Sequence, residues 1–236
     1  MAKIIVRANE RGAADHGWLN AKHTFSFAGY YNPERVHFGM LRVFNDDIVA
    51  PGMGFGMHPH DNMEIVTIPI QGELEHKDSE GHHGVITQGE VQVMSAGSGL
   101  YHSEFNHSKE KEVNLMQIWV LPRERDIEPR YDQKAFDEEG RKNKFQIVAS
   151  PEKDNGSLWL NQYVYFNIGN FDAGTTTKYE RKLKNNGLWI FVIEGEAEVN
   201  GEKLERRDSM GITENDTAEF KFTKDSKILI IDVPMN

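Results

Sequence analysis

Short runs of β-branched and aromatic residues, separated by Gly, Asn and Asp turns, recur along the whole chain and constrain its fold more than any other feature. Residues 91–94 and 115–120 are two such runs, and each predicts one strand. Asn200-Gly201 is a hairpin signal, because Asn and Gly tolerate the positive φ angles of a type I′ turn. Helix signals are few, so the sequence predicts an all-β protein built mainly from antiparallel strands.

A segment in the first half of the chain resembles a segment in the second half. Aligning 68–76 with 191–199 keeps the order strand, Gly turn, alternating strand. Four residues of the first segment recur as identical residues in the second: Ile70, Gly72, Glu73 and Glu75. This pattern indicates a duplicated β unit, and two unrelated hairpins are the alternative.

The length of the chain favours two domains, because each half of 236 residues is long enough to bury its own core. The stretch 122–154 is rich in charge and contains several prolines, which is typical of a connector, with a short helical possibility around 133–140. We therefore expect an N-terminal domain over 1–130 and a C-terminal domain over 131–236 that starts with the connector.

The composition excludes several classes of function. The chain has no cysteine, so disulfides, thiolate metal sites and cysteine nucleophiles are ruled out, and any metal must be held by nitrogen and oxygen. A net charge of −10 opposes binding to nucleic acid or to an anionic membrane. No apolar run approaches the roughly 20 residues that span a bilayer, and the N-terminus lacks the apolar core of a signal peptide. We expect a soluble, cytoplasmic protein.

Two pairs of metal-ligating residue types lie in the N-terminal half: His58 with His60, and His102 with Glu104. Each pair follows a glycine-rich stretch and is separated by one residue. Because residues two apart on an extended strand project from the same face, each pair presents two donors side by side. Three imidazoles and a carboxylate suit Fe, Mn, Co, Ni, Cu or Zn, and in an octahedron they leave two adjacent positions open.

The other polar candidates have plainer interpretations. One His-x-His pair in a chain with ten histidines is more often a surface feature than a ligand pair. We expect exposed turns at four further histidines: His76, His82, His83 and His107. Glu64 could be a ligand, but a strand residue or a partner of a ligand is favoured. For Asp46 and Asp47 a turn is favoured over a hydrogen bond to a ligand, and Phe55 and Met57 are expected to pack in the core rather than line a pocket.

The spacing of the ligand candidates resembles the two motifs of the cupin superfamily. The matching segments are Gly52-x5-His58-x-His60-x3-Glu64 and Gly89-x5-Ser95-x-Gly97 leading to His102-x3-Asn106. This sequence departs from the general pattern, because serine stands at 95 where proline is usual, the third histidine arrives two residues late, and the favoured carboxylate is at 104.

Those departures are similar to pirin, a bicupin subfamily whose metal is held by three histidines and the glutamate two residues after the third. Segments 23–27, 45–47, 58–65, 94–99 and 117–122 also resemble pirin segments. The resemblance runs from about residue 9 to residue 131 and continues weakly through a histidine-free C-terminal half.

The resemblance implies two tandem cupin barrels, each a double-stranded β-helix, with one divalent transition metal in the first. Iron(II) is the first candidate, and the ligands would be His58, His60, His102 and Glu104. Arg181 and Leu183 align with the first two histidines, so the second barrel would lack metal ligands and serve a structural role.

Bacterial pirin-like proteins include quercetin 2,3-dioxygenases, so the resemblance implies a metal-dependent enzyme that opens the central ring of a flavonol with O₂ and releases CO. Glu104 would be its catalytic residue, as ligand and general base together. The alternative is a non-enzymatic, metal-dependent regulatory protein with a protein partner. Metal storage or an unrelated isomerase is a third interpretation, because cupin folds host many activities.

Overall fold

The computed structural model describes residues 3–236. Over these residues the chain forms 22 β-strands and two short 3₁₀ helices, Ala8–Glu10 and Glu138–Arg141. The strands assemble into four sheets, one of seven and one of four strands in each of two barrels. The prediction of an all-β fold with two tandem barrels is therefore confirmed. Among these residues no helix is long and apolar enough to cross a membrane.

The first half of the chain contains twelve strands. In chain order they are β1 (Lys3–Val6), β2 (Gly12–Asp15), β3 (Leu19–His23), β4 (Leu41–Val49), β5 (Gly54–His60), β6 (Glu64–Gln71), β7 (Glu73–Asp78), β8 (His83–Thr87), β9 (Glu90–Ser95), β10 (Leu100–Asn106), β11 (Val113–Val120) and β12 (Arg130–Ala135).

The second half contains ten strands. They are β13 (Gln146–Ser150), β14 (Leu158–Trp159), β15 (Tyr165–Phe171), β16 (Thr176–Glu180), β17 (Asn186–Glu194), β18 (Glu196–Val199), β19 (Glu202–Glu205), β20 (Ser209–Ile212), β21 (Thr217–Lys221) and β22 (Ser226–Pro234).

The two barrels share one strand order. The seven-stranded sheets run β12-β9-β6-β11-β4-β3-β2 and β1-β20-β17-β22-β15-β13-β14, and the four-stranded sheets run β5-β10-β7-β8 and β16-β21-β18-β19. The turn glycines of the aligned segments, Gly72 and Gly195, both have φ +81°, a value that favours glycine. This correspondence bears out the duplication that the sequence comparison indicated.

Several local predictions are also resolved. Strands β9 and β11 contain the predicted runs 91–94 and 115–120, and Asn200 and Gly201, with φ of 49° and 81°, turn the chain between β18 and β19. The helix expected around 133–140 is wrong over its first part, because 130–135 form β12 and pair with β9. Tyr131 and Gln133 are partly buried and Asp132 between them is exposed, which is the alternation expected of a strand at the edge of a sheet.

Each large sheet includes an edge strand that lies, in sequence, beyond the predicted domain boundary or at it. Strand β1, from the start of the chain, pairs with β20 of the second barrel, while β12 begins at residue 130 and pairs with β9 of the first. A boundary at residue 130 therefore stays a proposal, since the sheets cross it.

The largest hydrophobic cluster lies between the two seven-stranded sheets and draws residues from both. Phe44 of the first sheet contacts Phe191 of the second with ring centroids 4.8 Å apart, and Phe25 contacts Trp189 at 5.0 Å. Burial of aromatic side chains on both sides makes this interface a shared core. The outer face of the first large sheet is thus covered, and its inner face is left to form the site.

Candidate metal centre

Three imidazoles converge inside the first barrel. His58 and His60 lie on the edge strand β5, and His102 lies opposite His58 on the neighbouring strand β10. The ring centroids are 4.9 Å apart for His58 and His60, 4.4 Å for His58 and His102, and 4.8 Å for His60 and His102. Each ring brings a nitrogen within 4.8 Å of a nitrogen of the other two. Three of the predicted ligands are therefore brought together.

The hydrogen bonds of these rings leave nitrogens free to hold a cation. His58 Nδ1 lies 2.8 Å from the carbonyl oxygen of Gly56, so Nδ1 carries the proton and Nε2 keeps its lone pair. His102 Nε2 is buried and has no hydrogen-bond partner among residues 3–236. A buried polar nitrogen without a partner is costly unless something unseen binds it, so the donor set fits a transition metal.

The rings are held in the form that binds metals. Burial, together with His102 and His58, lowers the pKa of His60 to about 3. Burial, together with His58 and His76, lowers the pKa of His102 to about 3. Both rings are therefore neutral at pH 7, and a neutral imidazole offers the lone pair that a metal requires.

Glu104 lies next to this group but is oriented by a different neighbour. Its side chain is buried, and Gln117 Nε2 donates a hydrogen bond to Oε2 at 2.7 Å. Its other oxygen, Oε1, has no hydrogen-bond partner within the described part of the chain. The carboxylate groups with His102 and His76, all within 4.8 Å of one another, and not with all three predicted imidazoles. Burial raises the pKa of Glu104.

A cavity of about 400 Å³ opens beside the imidazoles. Ligand pockets of roughly 300–1,000 Å³ accept small organic molecules. Its wall is aromatic on several sides, with Trp18, Phe27, Phe55 and Trp119. Polar side chains complete it: Asn45, Asp47, His58, His60, Glu104 and Gln117. The site therefore combines flat apolar walls with polar atoms at one end, which suits a planar aromatic molecule carrying oxygens.

His76 is the residue that sequence reasoning missed. It was expected on an exposed turn, but it is fully buried on β7, opposite Glu104 of β10. The signal was present in the alternation of β7, because Leu74, His76 and Asp78 point inward while Glu73 and Lys77 are exposed. His76-x-Asp78 repeats the spacing of the two ligand pairs. The flanking polar residues belong to the outer face of a strand and not to a turn.

The other three histidines lie nearer the surface. The side chain of His82 is 41% exposed and contacts Asp78, whereas His83 and His107 contact Glu75 from the outer face. The expectation of exposed positions is met for these rings, although His83 begins strand β8.

The turn expected at Asp46 and Asp47 is wrong, because both residues lie within β4 and are buried. Asp46 faces the second barrel, where Arg207 lies 3.7 Å from its carboxylate, and it also pairs with Arg11 at 3.4 Å. Asp47 faces the cavity, where burial, with the charges of Asp46 and Glu104, raises its pKa to about 8. Strand β4 thus supplies one residue to each face of the sheet.

Three further expectations have mixed outcomes. Glu64 is a fully buried strand residue whose Oε2 accepts hydrogen bonds from Ser95 Oγ and the backbone N–H of Asn161, so it bonds to the second barrel. Phe55 lines the cavity and contacts Trp18 with ring centroids 5.2 Å apart. Met57 is 54% exposed, so core packing is wrong for it.

The second barrel places different residues at the positions of the imidazoles. On its equivalent strands Tyr179 pairs with Ala218, as His58 pairs with His102 in the first barrel. The alignment of Arg181 with the first histidine is therefore wrong by two residues, because Arg181 follows β16 and donates to the carbonyl oxygens of Asn186 and Thr213. Among the described residues, groups able to hold a metal occur in the first barrel alone.

Two family models match the chain. The one described as Pirin matches residues 6–120, and the one described as Quercetinase C-terminal cupin domain matches residues 147–233. Each match falls on one barrel.

Known proteins resemble the chain over nearly its whole length. It is 41% identical to the quercetin 2,3-dioxygenase of Escherichia coli strain K12, over 97% of both chains. It is 39% identical to a pirin-like protein of Caulobacter vibrioides, over 94% of this chain and 95% of that one. The crystal structure of the bacterial pirin YhhW from Escherichia coli in complex with nickel(II) matches with a TM-score of 0.93 at 38% identity, covering 98% of this chain and 99% of that one.

Proposed function

Since the chain belongs to the pirin family, we propose that it is a metal-dependent dioxygenase that opens the central ring of quercetin-type flavonols with O₂ and releases CO. The observation that carries this proposal is that three converging imidazoles and a buried carboxylate lie beside a cavity of about 400 Å³ with aromatic walls. A flavonol is planar and carries oxygens at one edge, so it matches a site that is apolar on its sides and polar at one end.

We propose that His58, His60, His102 and Glu104 hold one divalent metal. Iron(II) is our first candidate, with Mn, Co, Ni, Cu and Zn permitted by the same donors. A relative in the family has been crystallised with nickel(II), which supports a divalent ion. When bound, such a cation lowers the pKa of a hydroxyl group directed at it and so favours the anionic form of the substrate.

Glu104 is the proposed general base. Gln117 holds its Oε2 at 2.7 Å, which leaves Oε1 as the atom that can accept the proton of a substrate hydroxyl. The transfer requires that Oε1 approach the hydroxyl oxygen to about 2.6–3.2 Å. Two further hydrogen bonds keep the amide of Gln117 in place. Gln92 Nε2 donates to Thr67 Oγ1 at 3.2 Å, and Thr67 Oγ1 donates to Gln117 Oε1 at 2.9 Å.

The aromatic walls would orient the substrate. Trp119 contacts His60 with ring centroids 4.8 Å apart and Phe27 at 5.3 Å, so its indole lies between the imidazoles and the far wall. Aromatic faces pack against a planar ring and exclude water from it. These side chains would thus bring the hydroxyl edge of a flavonol to Glu104.

The test is aerobic incubation of the protein, loaded separately with iron(II) and nickel(II), with quercetin. Loss of the flavonol absorbance together with release of CO is the expected result, and metal-free protein is the control. Metal-loaded protein that binds quercetin without consuming it would contradict the enzymatic proposal and favour the regulatory alternative. The cytoplasmic location expected from the sequence stays a prediction.

A further inference from the structure

Strand β7 brings a second pair of polar side chains to the inner face of the first barrel. His76 lies opposite Glu104 and Asp78 lies opposite His102 across the ladder between β7 and β10. Both side chains are fully shielded from solvent. His76 Nε2 is 3.1 Å from Asp78 Oδ2, and His76 Nδ1 is 3.4 Å from His102 Nδ1. A continuous chain of contacts therefore runs from His102 to Asp78.

The direction of these hydrogen bonds follows from Asp78. Its Oδ1 accepts the backbone N–H groups of Glu80 and His82 at 3.0 and 2.9 Å, and its carboxylate also accepts from His82 Nδ1. Burial raises the pKa of Asp78, but the hydrogen bonds from His76 and His82 outweigh burial and hold it below its ordinary value. The group is a carboxylate, which only accepts, so His76 Nε2 must be the donor.

The remaining proton positions are then fixed. Because His76 donates the proton on Nε2 to Asp78, its Nδ1 is the nitrogen that can accept a hydrogen bond. His102 Nδ1 is the atom that faces this nitrogen, so His102 carries its proton there. His102 Nε2, which has no partner in the described range 3–236, consequently keeps its lone pair toward His58 and His60.

We propose that His76 and Asp78 are positioning residues that fix the tautomer and the ring orientation of His102 for the metal. The inference rests on the proposed metal site. A carboxylate that orients a ligand imidazole through a hydrogen bond is a general device of metal sites, and here a second imidazole carries the effect over a longer distance.

The ring of His76 is held from a third side. Tyr131 of β12 stacks on His76 with ring centroids 4.5 Å apart and an interplanar angle of 21°, and on His82 at 5.4 Å and 22°. Tyr131 in turn donates its hydroxyl to Gln133 at 2.6 Å. The ring of His76 therefore cannot rotate without disrupting this stack. Strand β12, the edge strand of the large sheet, thus also helps to hold the residues that orient the metal ligand His102.

The same hairpin offers a matched control pair. His83 and Glu75 form an imidazole and carboxylate contact at 2.8 Å on the outer face, where both side chains are exposed. The experiment measures the affinity for nickel(II) by competition with a chelator for His76→Leu, His76→Asn and Asp78→Asn, with His83→Leu and Glu75→Gln as controls. Circular dichroism and thermal melting establish that each variant is folded.

We expect His76→Leu and Asp78→Asn to weaken nickel(II) binding by about 10–100-fold, the range found for such outer partners. His76→Asn should recover most of the affinity, because its carbonyl oxygen can accept from His102 Nδ1. The controls should stay within about twofold of the parent, since their pair does not face the metal. In cobalt(II)-loaded protein, the exchangeable Nδ1 proton of His102 should give a shifted NMR signal that exchanges faster with water in His76→Leu.

Three results would overturn the proposal. One is an affinity within twofold of the parent for both His76→Leu and Asp78→Asn. Another is equal loss in the His83 and Glu75 controls. The third is retention of nickel(II) by His58→Ala together with complete loss in His76→Leu, since His76 would then be a direct ligand. A parent protein that binds no nickel(II) refutes the metal site itself, which separates the two failures.

Discussion

One row of inner-face positions crosses the large sheet of each barrel, and the two rows differ in character. In the first barrel the row on β9, β6 and β11 holds Gln92, Thr67 and Gln117. In the second barrel the row on β20, β17 and β22 holds Met210, Ile190 and Ile230. The polar row forms hydrogen bonds that end on Glu104, whereas the apolar row belongs to one continuous core cluster.

The small sheets differ in the same way. Glu104 pairs with His76 across β10 and β7, and at the equivalent places Phe220 pairs with Val199 across β21 and β18. The first barrel divides its apolar side chains into two small clusters around the polar centre, while the second fills its interior with one. The two barrels keep the same strand order although one barrel interior is polar and the other apolar. The apolar core that both large sheets share lies outside these interiors and is common to the two barrels.

The largest effect on turnover is expected at Glu104, whose equivalent in the second barrel is Phe220. Glu104→Gln should keep a measurable part of the metal but lower quercetin turnover by about 10²–10⁴-fold, because the amide coordinates weakly and cannot take a proton. Turnover is measured at equal metal loading, and Glu75→Gln is the control. Turnover close to the parent would exclude Glu104 as the base.

His60→Ala should remove a ligand and weaken metal binding by more than about 100-fold, beyond the range of outer partners. His83→Ala, an exposed histidine of the same barrel, should leave binding unchanged. The measurement is competition with a chelator for nickel(II). Equal losses from both variants would mean that the wrong histidines have been chosen.

Ile230→Gln imports the polar residue of the first barrel into the second. The buried amide finds no Thr and Glu partners there, and apolar burial is lost, so the free energy of unfolding should fall by about 2–4 kcal/mol. Urea denaturation measures it, with Lys203→Gln on the exposed face as control, where a change within about 0.5 kcal/mol is expected. A neutral Ile230→Gln would show that the second interior tolerates polar groups as the first does.

Asp47→Asn tests a buried carboxyl group that the second barrel lacks at the equivalent place. Gly169, which carries no side chain, stands there. The pKa of Asp47 is about 8 in the folded chain, against roughly 3.9 when unfolded. Between these values the folded state binds a proton that the unfolded state releases, so this group lowers stability as pH rises from 4 to 8. In metal-free protein, Asp47→Asn should gain about 1–2 kcal/mol at pH 8 and nothing near pH 4. Equal gains at both pH values would contradict this assignment.

The sequence predicted the architecture because turn chemistry and alternating runs are local signals. It also selected His58, His60 and His102, since same-face spacing on strands is a local rule. It missed His76 and Asp47, because their roles depend on which face of a strand the other sheet covers. Both neighbours of His76 are polar, so its one local sign is the His76-x-Asp78 spacing shared with the ligand pairs, whereas Asp47 follows another aspartate and carries no such sign. The burial of His76 follows from the pairing of β7 with β10, and the burial of Asp47 follows from the packing of β4 in the large sheet.

The measurement that tests the central claim most directly is the stoichiometry of nickel(II) binding to the full chain by calorimetric titration. We expect one tight site per chain, absent in His58→Ala and unchanged in Tyr179→Phe of the second barrel. Two tight sites per chain, or one site that survives His58→Ala and is lost in Tyr179→Phe, would contradict the claim that the first barrel alone holds the metal.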